Sequence, residues 1–101
     1  MKRKQGIRAF LHALGDDVQE KRLSLYIAFK RLKNFVCIET RKDKLMLYLK
    51  VDPSTVALEN GFSRDVRNIG HWGTGDLELS IRSREDFEKA KPLLIRSYGD
   101  N

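Results

Sequence analysis

The apolar positions of this chain recur at two different periods. Ile7, Phe10, Leu11 and Leu14 fall at i, i+3, i+4 and i+7, one stripe of an amphipathic helix. Gly15 follows as a stop signal and Asp16-Asp17 as a turn. Beyond them the period drops to two. Leu25, Ile27 and Phe29 alternate with Tyr26, Ala28 and Lys30. Phe35 and Cys37 alternate with Val36 and Ile38. Leu45, Leu47, Leu49 and Val51 alternate with Met46, Tyr48 and Lys50. Such alternation, with aromatic and β-branched content, predicts three strands. Their separators, residues 31–34 and 41–43, are too short for a parallel crossover, which needs about a dozen residues. The strands therefore form an antiparallel meander, and residues 18–22 read as one more strand ahead of it.

Asp52-Pro53-Ser54 ends the third of these strands, because proline donates no ladder bond. Residues 54–69 read as weakly helical, with Ser63 capping a short helix through Ile69. Three glycines between Gly70 and Gly75 predict a loop, and Leu77, Leu79 and Ile81 a further strand. Ser83-Arg84-Glu85-Asp86 resembles a capping box with the shorter Asp in the reciprocal position. Phe87, Ala90, Leu94 and Tyr98 then mark a second helical stripe, which Pro92 is expected to kink or split. The expected fold is α+β: a single two-layer domain, ordered over about residues 5–98, in which an antiparallel sheet of four to five strands packs with N- and C-terminal helices. The sheet's second face, with Tyr26, Ala28, Met46, Tyr48 and Lys50, is less apolar and is expected to be solvated or covered by a partner.

Composition narrows the class. The 101 residues suffice for one modest core, and 41% hydrophobic with 34% charged residues describes a folding chain. No apolar run is long enough to span a membrane. Met1-Lys2-Arg3-Lys4 looks like the start of a secretion signal, but no apolar segment follows. Cys37 is alone, which excludes a disulfide framework and a Cys-only zinc site and suits a reducing cytoplasm. No membrane partner, metal or cofactor is expected. Lysine and arginine outnumber acids 20 to 14, a net charge of +6, which points to polyanionic partners, chiefly nucleic acid.

The cations gather at the predicted hairpins. Lys30, Arg31 and Lys33 crowd the first tip, and Arg41, Lys42 and Lys44 the second. Successive hairpins point to opposite sheet ends. Lys50 is placed near the first tip, Lys21 and Arg22 near the second. Two basic tips can grip phosphates; equally, charged tips can be solvated turns that discourage edge association. Tyr26, Met46 and Tyr48 interleave with lysines, so they suit either base stacking or, more simply, core packing. A half-apolar face there also suits a protein partner or a second copy of the chain. A second cluster comprises Arg64 and Arg67, expected three apart on one side of a helix, with His71 and Trp72 in the glycine loop. Together these residues fit a small phosphate or carboxylate pocket, or a core plug on a tight turn.

Catalytic chemistry finds little footing. His12 is expected as a buried structural histidine on the first helix, and Cys37 as a small hydrophobe. His12, His71 and Cys37 are too far apart for metal-ligand spacing. Glu39-Thr40-Arg41 lacks the lysine of a restriction-type nuclease motif, and Asp65 and Asp76 merely flank His71.

The segments at residues 15–18, 25–30, 33–36, 45–49 and 95–98, and above all Gly70-His71-Trp72-Gly73-Thr74-Gly75-Asp76, resemble the domain-of-unknown-function family numbered 5655, often labelled "predicted transport protein". The resemblance covers most of the chain. It implies occurrence alone or at the end of longer proteins, some bearing nuclease domains, and carries no catalytic residues. The resulting expectation is a non-catalytic accessory domain that contacts nucleic-acid phosphates through Lys30, Arg31, Lys33, Arg41, Lys42, Lys44 and Lys50.

Overall fold

The computed structural model describes residues 2–70 and 74–101. These form helix α1 (Lys2–His12), strands β1 (Gln19–Arg22), β2 (Ile27–Lys30), β3 (Asn34–Thr40) and β4 (Leu45–Leu49), a 3-10 turn at Pro53–Thr55, strands β5 (Ser63–Asp65) and β6 (Leu77–Ile81), and helix α2 (Arg84–Asp100). The α+β class holds, with six strands in place of four to five. They lie in the order β1-β2-β3-β4-β6-β5, and every neighbouring pair is antiparallel. The meander is β1 to β4, and β6 joins β4 in a regular register from Leu45↔Ile81 to Leu49↔Leu77.

Both helices cover one face. Ile7 and Leu11 of α1 and Ala90 and Leu94 of α2 are fully buried against Ile27, Phe29, Val36, Ile38, Leu45, Leu47, Leu49, Leu77, Leu79 and Ile81. Phe10 and Phe87 meet edge to face at 5.8 Å and join the helices to each other. Each fully buried aliphatic side chain here contributes about 1.5–3 kcal/mol of transfer free energy. Phe35 also lies in this core, not with Cys37 as simple alternation requires. A register shift between Phe29 and Lys30 supplies the reason: β2 passes from Phe29↔Val36 to Lys30↔Asn34, so Phe35 turns toward α2 and meets the Tyr98 ring at 5.5 Å.

Local chemistry departs from expectation at four further places. Leu25 lies outside β2 and is exposed. The stretch expected as a helix from Ser63 is instead strand β5, where Ser63, Arg64 and Asp65 pair with Leu79, Glu78 and Leu77; tertiary pairing overrides weak helix propensity. Helix α2 runs through Pro92 as one element. Pro92 and Glu88 are both exposed there, on the side of the helix away from the core. Gly15 does not adopt a left-handed backbone; it is needed because a Cβ there would collide with the Tyr98 hydroxyl. The Ser83 side chain caps α2 by accepting from the Asp86 N–H at 3.1 Å. The Asp86 carboxylate, shorter than the usual Glu, accepts from the Arg82 N–H at 2.9 Å.

The second face carries Ala28, Cys37, Met46, Tyr48 and Val66, all nearly inaccessible, with Tyr26 packed at their edge. The connector from β5 to β6 crosses this face. Val66 joins the apolar strip, and Thr74 bonds Cys37, its N–H donating to Sγ at 3.4 Å. Gly75 lets the connector return. Its φ is +130°, and a Cβ there would lie 2.7 Å from the Leu49 carbonyl oxygen. Asp76 N–H then donates to that carbonyl at 3.1 Å, and Val66 N–H to the Asp76 carbonyl at 2.9 Å.

Candidate functional site

The β2–β3 turn carries Lys30, Arg31 and Lys33. Arg31 folds back onto the protein: Nε donates to Asp17 at 2.8 Å and Nη1 to the Tyr98 carbonyl at 3.0 Å. Its guanidinium lies 4.3 Å from the centre of the Tyr98 ring, whose hydroxyl donates to Asp17 at 2.8 Å. The Tyr98 hydroxyl and Arg31 hold the Asp17 carboxyl below its ordinary range, and Asp17 in turn holds Arg31 above its own. Lys33 is exposed and Lys30 half-buried, and neither meets a carboxylate among the described residues. Lys50 reaches this same sheet end, as its N–H donation to the Phe35 carbonyl at 3.3 Å shows.

At the β3–β4 turn Arg41 is bound to Glu39 through Nε. Lys42 is exposed and Lys44 half-buried, without ion pairs among the described residues. Of the seven hairpin cations, the two arginines are therefore engaged within the fold. The planar guanidinium fork suits fixed pairing and stacking, whereas the lysine ammonium remains a hydrated point charge.

The helix expected to carry Arg64 and Arg67 on one side does not form. Arg64 stands on β5 and grips Glu78 of β6 with two bonds of 3.1 Å. Arg67 lies in the following turn, not on a shared helical side, and pairs with Asp65 at 2.8 Å and Asp52 at 3.7 Å. Arg67 holds Asp65 low; Ser54 does most to hold Asp52 low, with Arg67 adding to it. His71 and Trp72 lie outside the described residues. His12 is not buried: it is the last residue of α1 and exposed, with Nε2 at 2.9 Å from Glu20 and its ring edge-on to Phe29. Cys37 is buried, as a small hydrophobe should be. Among the described residues no group of three metal-ligating side chains converges.

One constellation was missed by sequence reasoning. On the second face Glu39, Arg41, Tyr48, Arg64 and Glu78 line a cavity of about 210 Å³, rimmed by Ile69 and Gly70. Tyr48 pairs with Glu78 across β4–β6, and Glu78 with Arg64 across β6–β5, so three adjacent strands deliver side chains to one spot. The Tyr48 hydroxyl donates to Glu78 at 3.2 Å. Burial, then the Glu78 and Glu39 charges, push this phenol up to about 12, so it stays a donor at neutral pH. Glu39 Oε2 is buried without a hydrogen-bond partner. The signal for this cluster was present: Glu78 between Leu77 and Leu79 and Tyr48 between Leu47 and Leu49 must point away from the helix core.

A small α+β domain with its helices on one sheet face and a charged pocket on the other is thus defined. The chain belongs to the family described as "Domain of unknown function (DUF5655)", matched over residues 4–101. It is 30% identical over 87 residues to an uncharacterized protein of Haemophilus influenzae, covering 86% of this chain and 29% of that relative. The chain therefore spans under a third of the length of the curated relative it matches. No solved structure matches it.

Proposed function

We propose that this chain is a non-catalytic accessory domain that holds nucleic acid by its phosphate backbone, through Lys30, Lys33 and Lys50 at one sheet end and Lys42 and Lys44 at the other. The supporting observation is that these five lysines meet no carboxylate among the described residues, while Arg31, Arg41, Arg64 and Arg67 each do. Part of the surplus positive charge is thereby left on flexible side chains at the two ends of the sheet. Strand β3, with its seven residues, separates these ends by roughly 20 Å. Contacts of this type release counterions and carry no sequence information.

The test is fluorescence anisotropy with labelled duplex and single-stranded oligonucleotides across a salt series. Five neutralised phosphates give a log–log slope of about −4.5 on duplex and about −3.5 on a single strand. Changing Lys30, Lys33 and Lys50 together to alanine should weaken binding and flatten that slope by about 2–3. An unchanged slope with a folded variant removes this end from the interface.

A further inference from the structure

We propose that the second-face pocket takes one unpaired guanine base from a strand held by the hairpin lysines; this rests on the nucleic-acid reading above. The pocket's size sets the first constraint. At about 210 Å³ it falls below the roughly 300–1,000 Å³ of drug-sized ligand sites, so it accepts one small planar ring system.

Charge sets the second constraint. Glu39 and Glu78 face Arg41 and Arg64, two charges of each sign. A bare anion or cation meets as much repulsion as attraction there. A neutral ligand that presents donors on one edge and acceptors on another meets complementary groups on both. Carboxylates only accept and guanidinium groups only donate. The acceptor side has unused capacity, because Glu39 Oε2 lacks a partner. The donor side has it too: Arg64 commits Nε and Nη2 to Glu78 and keeps Nη1, whereas Arg41 is engaged by Glu39 through Nε and also by Tyr48. Both arginines are about half-exposed, so their planar faces are open to stacking.

Guanine matches this inventory best. Its N1–H and N2–H2 form one pure donor edge for a carboxylate. Its O6 and N7 form a pure acceptor edge for an arginine fork. Adenine lacks the imide donor, and a pyrimidine offers a smaller ring. The pocket also lies on the path. Arg41 shares its turn with Lys42 and Lys44, and Tyr48 is two residues from Lys50. A single strand bridging the two lysine groups on this side would pass outside the connector and reach the pocket beside the Arg41 turn, where an unstacked base can turn in.

The experiment compares a labelled oligo-dT with the same oligonucleotide carrying one central dG, and in parallel follows backbone amide shifts on adding GMP or AMP. The dG should raise affinity about tenfold, equivalent to one good bidentate contact. Glu39→Gln should abolish that gain without weakening oligo-dT binding, and GMP should shift the amides around Glu39 and Glu78 where AMP does not. If oligo-dT binds and dG adds nothing, or the gain survives Glu39→Gln, the pocket assignment falls and the phosphate-contact reading stands. If neither oligonucleotide binds, that reading fails, and the GMP arm decides the pocket: no GMP-specific shift overturns it. The nucleotide arm uses the unaltered protein, so misfolding of a variant cannot blur the outcome.

Discussion

On its helix side the sheet meets Ile7, Leu11, Ala90 and Leu94; on its other side it meets a connector. The first contact is made of many interchangeable pieces: ten aliphatic or phenylalanine positions on four strands, facing two amphipathic stripes. The second is made of a few particular ones. Its apolar strip is Ala28, Cys37, Met46, Tyr48 and Val66, bordered by the Arg64–Glu78 pair. Its return to β6 depends on one glycine seated against the backbone of Leu49. The helix side therefore supplies bulk stability, and the connector side supplies a defined arrangement of charges. A fold can hold a polar pocket against one sheet face when the opposite face carries most of the burial.

Leu79→Ala should break the comparison hardest. It empties a fully buried site between strands and helices, and should cost about 3–4 kcal/mol in urea unfolding, against about 2 kcal/mol for Met46→Ala on the other face. Equal losses would make the two faces equal partners. Gly75→Ala comes next, at about 2–3 kcal/mol, from the forbidden backbone angle and the clash with Leu49. Its damage should be local to the connector. Cys37, now covered by Thr74, should react with a thiol reagent faster than the loss of global stability explains; an unreactive Cys37 would show that the connector holds without that glycine. The smallest effect is acid sensitivity of the Arg31–Asp17–Tyr98 clamp. Asp17 titrates below its ordinary 3.8 in the folded protein, so its contribution is present above that pH and lost as the pH falls through the lowered value. Between about pH 6 and about pH 2, unfolding midpoints of Asp17→Asn should start lower and fall less steeply than those of the parent. Parallel curves would show that the clamp adds nothing.

Periodicity exposed most of the fold. The α1 stripe, the meander strands, the Ser83 cap and the α2 stripe all follow from spacing, because each is a local pattern that burial enforces. Strand β5 did not, since Ser63-Arg64-Asp65 has no alternating apolar residue and exists only by pairing with β6. Phe35 was placed on the wrong face because a bulge leaves no compositional mark. The site was less legible for a related reason. Lysine clustering at the turns shows in the sequence, but whether a cation is already spent does not. Arg31 meets Asp17 and Tyr98, 14 and 67 residues away, and Arg64 meets Glu78, 14 residues away. Such pairings are made by topology.

The sheet's margins carry one more consequence. Strand β1 is outermost on one side and reads Gln-Glu-Lys-Arg, while β5 on the other side is only three residues long. A foreign strand arriving at β1 would have to lay its own side chains among three charges, and at β5 it would find too few amide groups to zip against. The domain is thus protected from fibre-like self-stacking on both flanks, and copies of it can crowd together without their sheets fusing.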